Sequence, residues 1–295
     1  MDLMKKVVFV LILWASNAVF SQGCSDAGFC TSENMKYGTA VDSIKHTLKF
    51  GVNHGSADFD ISVFGMYLEY QYKITEKLNI GTRINYINQT KKTVSSSSLS
   101  DGFIIADYLV NPTVSASVGL KIPFTDGNVK ENGMALPMDL QPSLGTYDLI
   151  FGVSKKYKNL FFALGYQHPL NKNNNTFVKP SSSNEFFTTN QFERAPDLLF
   201  RLGYNYSINS KWKLSPSLLP IYHIANDTFE DVNNQEVQIS GSKGLTLNAS
   251  LLAVYSLNDK NAIEFNLGTP LIVRDARPDG LTRSIVLNLE YKFRF

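Results

Sequence analysis

Beyond residue 46, apolar residues recur at every second position, the spacing of a strand rather than a helix. The C-terminal run LTRSIVLNLEYKFRF shows it most plainly. Ile285, Leu287, Leu289, Tyr291, Phe293 and Phe295 fall on one face, and Ser284, Asn288, Glu290, Lys292 and Arg294 on the other. Because successive strand side chains point to opposite faces, such a run is a ribbon with one oily and one wet side. Twelve runs of this kind are predicted, at 46–53, 59–72, 77–88, 102–110, 112–122, 146–156, 159–168, 196–207, 211–224, 244–256, 260–272 and 282–295. Many approach the roughly 9–11 residues with which a tilted strand crosses a bilayer. Pro216 and Pro220 interrupt the ninth run and predict a bulge or a shortened strand there, because proline donates nothing to a ladder.

The joins between runs choose the architecture. Those after even-numbered runs are tight (KITE, NP, KYKN, INSK, LNDKN), whereas most after odd-numbered runs are long and polar, including TKKTVSSSSLSD and NKNNNTFVKPSSSNEFFTTN. A sandwich has no reason to gather its long loops at one end. An outer-membrane barrel has an even strand number, short periplasmic turns and long external loops. The expected fold is therefore all-β, a transmembrane antiparallel up-and-down β-barrel of about twelve strands spanning 46–295, with both termini periplasmic and Ser- and Asn-rich tracts forming flexible external loops.

The first residues add a destination. Lys5 and Lys6, the apolar stretch VVFVLILWA and the small polar exit NAVFSQ read as a signal peptide over residues 1–21. The apolar stretch is about half the roughly 20 residues a spanning helix needs. Residues 22–45 then either hang in the periplasm or fold into the bore as a plug. They carry the only cysteines, Cys24 and Cys30, which in an exported protein read first as a small disulfide loop and second as a lipidation site at Cys24.

Composition agrees with a lipid-facing surface. Aromatic residues make up 12% of the chain and charged residues 18%, below the roughly 25% charge usual in soluble domains. The net charge of +2 offers no basic excess for phosphate neutralisation, so nucleic acid is set aside as a partner. Alternation points Lys49, Arg83, Asp107, Lys121, Asp148, Arg201, Lys213, Glu264, Glu290, Lys292 and Arg294 into the lumen. On the lipid face each would cost roughly 2–4 kcal/mol at mid-membrane. Such mixed charge either selects solutes or pairs across the bore to fill it. Outward Tyr70, Tyr72, Tyr86, Tyr166, Tyr204, Tyr206, Tyr255, Tyr291 and Phe293 read as interfacial girdles.

No catalytic constellation is visible: Gly-x-Ser-x-Gly, HExxH, Walker and CxxC patterns are all missing, so neither an enzyme nor a cofactor is expected. His54, His168 and His223 fall near the external rim with Asp58 and Asp227 in adjacent loops. They lack ligand spacing and read as histidines facing water rather than a metal site.

The stretches GFIIADYLVNPTVSASVGLKIPFTDGN and LQPSLGTYDLIFGVSKKYKNLFFALGYQHPL, with Asp107, the strand end Gly119–Pro123 and the run Leu140–Asp148, resemble the outer-membrane barrel family named for the meta-pathway of phenol degradation. That resemblance, shared in outlook with FadL-like channels, implies passive movement of a small hydrophobic or aromatic solute and a gating N-terminal segment. The FSQ signal ending and Cys-rich start resemble exported proteins of Bacteroidota. The stretch KWKLSPSLL resembles barrel components of the type IX secretion apparatus, implying instead an anchor or subunit of a secretion or surface complex. The terminal Phe295 resembles the signal read by the outer-membrane assembly machinery. Expected partners are thus outer-membrane lipid, that machinery and a small solute.

Overall fold

The computed structural model describes Ser32, Met35, Lys36 and residues 44–181, 185–280 and 283–295. The predicted signal peptide and both cysteines lie outside them. Twelve antiparallel staves close into one barrel. The first six are β1 His46–Ala57, β2 Ser62–Lys73, β3 Leu78–Lys91, β4 Val94–Asn111, β5 Val114–Pro123 and β6 Asp148–Tyr157. The others are β7 Leu160–Pro169, β8 Asp197–Tyr204 (continued by Tyr206–Ser207), β9 Trp212–His223, β10 Gly244–Ser256, β11 Asn261–Ile272 and β12 Arg283–Arg294. Each stave pairs with its chain neighbours, and β12 returns to β1 from Thr47↔Arg294 to Ala57↔Arg283. The closure leaves no free edge.

The usual inside–outside order is inverted, because lipid rather than water is the outer solvent. On β12, Ile285, Leu287, Leu289, Tyr291 and Phe293 are exposed while Glu290 and Lys292 are buried. Outward Tyr70, Tyr72, Tyr204, Tyr206, Tyr255, Tyr291 and Phe293 lie toward the tight-turn end, and Tyr86 and Tyr166 toward the loop end. No helix among the described residues is long and apolar enough to cross a membrane; the crossing elements are strands.

Three expectations are corrected. The tract TKKTVSSSSLSD is no loop: β3 and β4 run on through Lys91↔Val94 as one long hairpin. Pro216 and Pro220 cause neither a bulge nor shortening, since β9 pairs with β10 in unbroken register from Trp212↔Tyr255 to His223↔Gly244. Their effect falls on the other side, where the β8–β9 ladder skips from Leu199↔Ile221 to Leu202↔Leu218, as expected where a donor is missing. The Asn-rich tract, finally, is knitted into the fold. Asn175 is fully buried, its amide donating to the Gly127 (2.8 Å) and Leu136 (3.1 Å) carbonyls while its Oδ1 accepts from Phe177 N and Thr189 Oγ1.

The long loops close the barrel mouth around two apolar clusters. One joins Ala57, Val63 and Ile87 of the wall to Ile61 of the β1–β2 loop and Leu136 and Leu140 of the β5–β6 loop. The other gathers Met138, Leu144, Phe192, Ile239 and Ala276 from four different loops. Burying that surface offsets the entropy of ordering long loops.

Candidate functional site

Inside the closed wall the alternation places charge, and the charges pair. Toward the turn end, Lys49 Nζ lies 2.8 Å from Glu69 Oε1 and 4.0 Å from Glu290 Oε1. Tyr67 donates to Glu290 Oε2 at 2.6 Å, and the Arg83 guanidinium stacks 3.5 Å over the Tyr67 ring while reaching Glu69 at 3.8 Å. Lys292 meets Glu264 at 3.7 Å. Gly51 is what lets Tyr67 cross the lumen here, since a Cβ at that position would overlap the phenol ring. Toward the loop end, Lys121 Nζ holds Asp148 Oδ2 at 3.0 Å, with Thr146 Oγ1 (2.6 Å) and Gln167 Nε2 (2.6 Å) donating to the same carboxylate.

The predicted lumen residues therefore separate into groups. Lys49, Arg83, Asp107, Lys121, Asp148, Arg201, Glu264, Glu290 and Lys292 are all buried. Lys213 is exposed at the start of β9, and Arg294 is half-buried near the other terminus; both have inward parity but sit at the rim. Glu69 and Tyr67 escaped the sequence reading although their alternation with Leu68 and Tyr70 in YLEYQY carries the same signal.

Three N-terminal residues also sit inside the barrel. Ser32 donates to Asp107 Oδ1 at 2.8 Å, and Ser117 donates to the same oxygen. Met35 is 2% exposed and packs with Ala163, Leu199, Leu219 and Ile221. Lys36 Nζ lies 3.5 Å from Glu264 and 3.7 Å from Glu290.

A second charged cluster joins the loops at the mouth. His223 does not face water: at 1% exposure its Nδ1 lies 2.7 Å from Asp197 Oδ1 and its Nε2 2.7 Å from Asp227 Oδ1. Arg194 pairs with Asp197 and reaches Asp279 at 3.3 Å, and Arg274 holds Asp279 at 2.8 Å. Burial opposes the charge on Asp279, but Arg274 and Arg194 outweigh it and hold the carboxyl below the usual range. Asp139, in the β5–β6 loop, is pushed up to about 8 by burial, with Asp58 and Asp279 adding to the rise. His54 is exposed on the outer wall and His168 stacks on Tyr166 at 6.0 Å. The three histidines do not meet, and no group of three or more His, Cys, Asp or Glu among the described residues is arranged to hold a metal.

A cavity of about 60 Å³ lies in the bore, lined by Lys36, Tyr67, Arg83 and Arg201 and by a mixture of small polar and apolar residues of β9–β12.

Against solved structures the chain is similar to the KdgM porin, with a TM-score of 0.45, 8% identity, and coverage of 84% of this chain and 99% of that one. It is similar to the toluene transporter TbuX of Ralstonia pickettii, with a TM-score of 0.44, 12% identity, and coverage of 95% and 96%. A third similarity is to the TodX deltaS2S3 mutant monoaromatic hydrocarbon channel, with a TM-score of 0.47, 10% identity, and coverage of 94% and 96%. The likeness is one of fold. No family model matches the chain, and no curated protein matches it.

Proposed function

We propose that this barrel sits in the outer membrane with both termini periplasmic and passes a small solute by passive diffusion, with residues 22–45 acting as a displaceable plug. The observation that carries the reading is the seating of Ser32, Met35 and Lys36 within the wall through hydrogen bonds, one apolar contact cluster and ion pairs. A hydrogen bond of this kind contributes about 0.5–1.5 kcal/mol net. The closed wall with an apolar exterior is the form in which strands satisfy their backbone groups in lipid.

The family resemblance implies a hydrophobic or aromatic cargo. The space left in the described lumen is mixed in character, lined by serine, asparagine and basic side chains together with Leu219, Leu252 and Val286. Uptake into liposomes carrying the purified protein tests the channel, and impermeability to small solutes with residues 22–45 deleted would end it. A second reading, a non-conducting anchor or subunit of a surface complex, draws on the density of paired charge that fills much of the bore. Stoichiometric partners on purification would favour that reading.

A further inference from the structure

We infer that the turn-end rim of the barrel is a docking surface for the headgroups of anionic phospholipids, a step beyond the channel reading that uses only its placement of the barrel in a membrane. Of the five turns and the terminal seam at this end, all but the β4–β5 turn carry an exposed lysine. These are Lys45 before β1, Lys77 between β2 and β3, Lys158 between β6 and β7, Lys211 between β8 and β9, and Lys260 between β10 and β11. Lys155 and Lys213 add exposed charge on the adjoining strand ends. Against them, the exposed acids of this rim among the described residues are Glu76 and Asp259, joined by the terminal carboxylate of Phe295.

The backbone holds these lysines at one level. The carbonyls of Lys45, Lys77, Lys211 and Lys260 accept from the amides of Lys73, Leu109, Ser256 and Arg294 at 2.7–2.8 Å, each near the end of the neighbouring strand. Their charge is also uncompensated, since among the described residues none of the seven exposed rim lysines forms an ion pair. At the mouth, by contrast, Lys172 reaches Glu193, Glu230 and Glu236 at 3.4–3.5 Å, and Arg277 holds Asp58 at 2.7 Å.

The aromatic neighbours of the lysines fix their depth. Tyr72, Tyr108, Tyr157, Tyr206 and Trp212 are exposed at the same end, and such belts lie at the level of the lipid headgroups. A lysine beside the belt carries a compact ammonium on a flexible stem and meets a phosphate as a point charge. An anionic leaflet attracts such residues within about a Debye length of its surface. Charge spread around the circumference matches an annulus of lipid, whereas a soluble acidic partner would meet it on one side.

The test uses the mature chain, residues 22–295, in vesicles that mix plain phosphatidylcholine with a brominated lipid. Its single tryptophan, Trp212, stands between Lys211 and Lys213 and reports the rim through quenching by bromine. The relative binding constant should favour brominated phosphatidylglycerol over brominated phosphatidylcholine by about fivefold, the scale of one lysine at an anionic surface. That preference is expected at about 0.01 M salt and should vanish at about 1 M, where the screening length falls from about 30 to about 3 Å. Lys211→Gln with Lys213→Gln should bring the two lipids to near equality. Equal quenching by both lipids in the wild-type protein, or a preference indifferent to salt, overturns the surface. A shift of Trp212 emission on adding soluble polyglutamate, without any lipid preference, would assign the rim to an acidic protein and overturn it as well. A lipid preference from a barrel that conducts nothing keeps this surface and removes the channel; conductance without the preference does the reverse.

Discussion

The Met35 methyl group occupies the space that a side chain at position 152 would need: a Cβ at Gly152 would overlap it. Wall and N-terminal segment therefore meet at a point with no slack. Gly152→Leu should expel the segment while leaving the strand itself intact, since leucine is acceptable in a strand. The expected outcome is faster proteolysis near residue 35 and a larger conductance than wild type. Unchanged protection would show that the segment's seating does not depend on this contact.

Lys121 and Asp148 are buried against each other at 3.0 Å. Removing one member of a buried pair typically costs about 3–5 kcal/mol, whereas replacing both with apolar groups is often neutral. Lys121→Met should lower the temperature at which the folded band converts on gels, and Lys121→Met with Asp148→Leu should recover most of it. If the double variant were no better than the single one, the pair would owe its effect to the network around it.

Asp139 gives the loop end a pH dependence of known sign. Its folded carboxyl titrates near 8 and its unfolded one near 4, so the folded state binds more protons between those values. Loop stability is therefore fully present below about pH 4 and is lost progressively as pH rises toward 8. Hydrogen exchange over residues 130–145, corrected for intrinsic rates, should show weaker protection at pH 8.5 than at pH 5. Asp139→Asn should flatten the difference. The charged groups facing this carboxyl, Asp58, Asp279 and Lys91, remain in that variant.

Phe295 exchanges backbone hydrogen bonds with His46 (3.0 and 3.2 Å) and stacks on its ring at 5.2 Å. The last residue thus fastens the seam between first and last strands. Deleting it should reduce the heat-modifiable barrel recovered in outer-membrane fractions by severalfold. Undiminished recovery would assign the residue to the seam alone and not to assembly.

What the sequence made legible follows from where lipid is. Within the apolar belt one face must be oily, so period-two alternation located the twelve staves and the inward charges of β1, β3 and β12. Beyond the belt both faces are wet and the alternation vanishes, which is why Val94–Ser100 read as loop although it continues β4. His223 was misread for a related reason. Its partners, Asp197 directly opposite on β8 and Asp227 in the following loop, are fixed by pairing register and loop path, which alternation within one strand does not give. Arg194 and Asp279 meet across 85 positions, beyond any spacing rule.

The central claim, a channel stoppered by its own N-terminal segment, is tested most directly by single-channel recording in planar bilayers. The mature protein and a variant lacking residues 22–45 would be compared at equal insertion. The account predicts rare, brief openings for the mature chain and sustained, larger steps for the truncated one. Silence from both, with the truncated barrel folded by its gel shift, would contradict it.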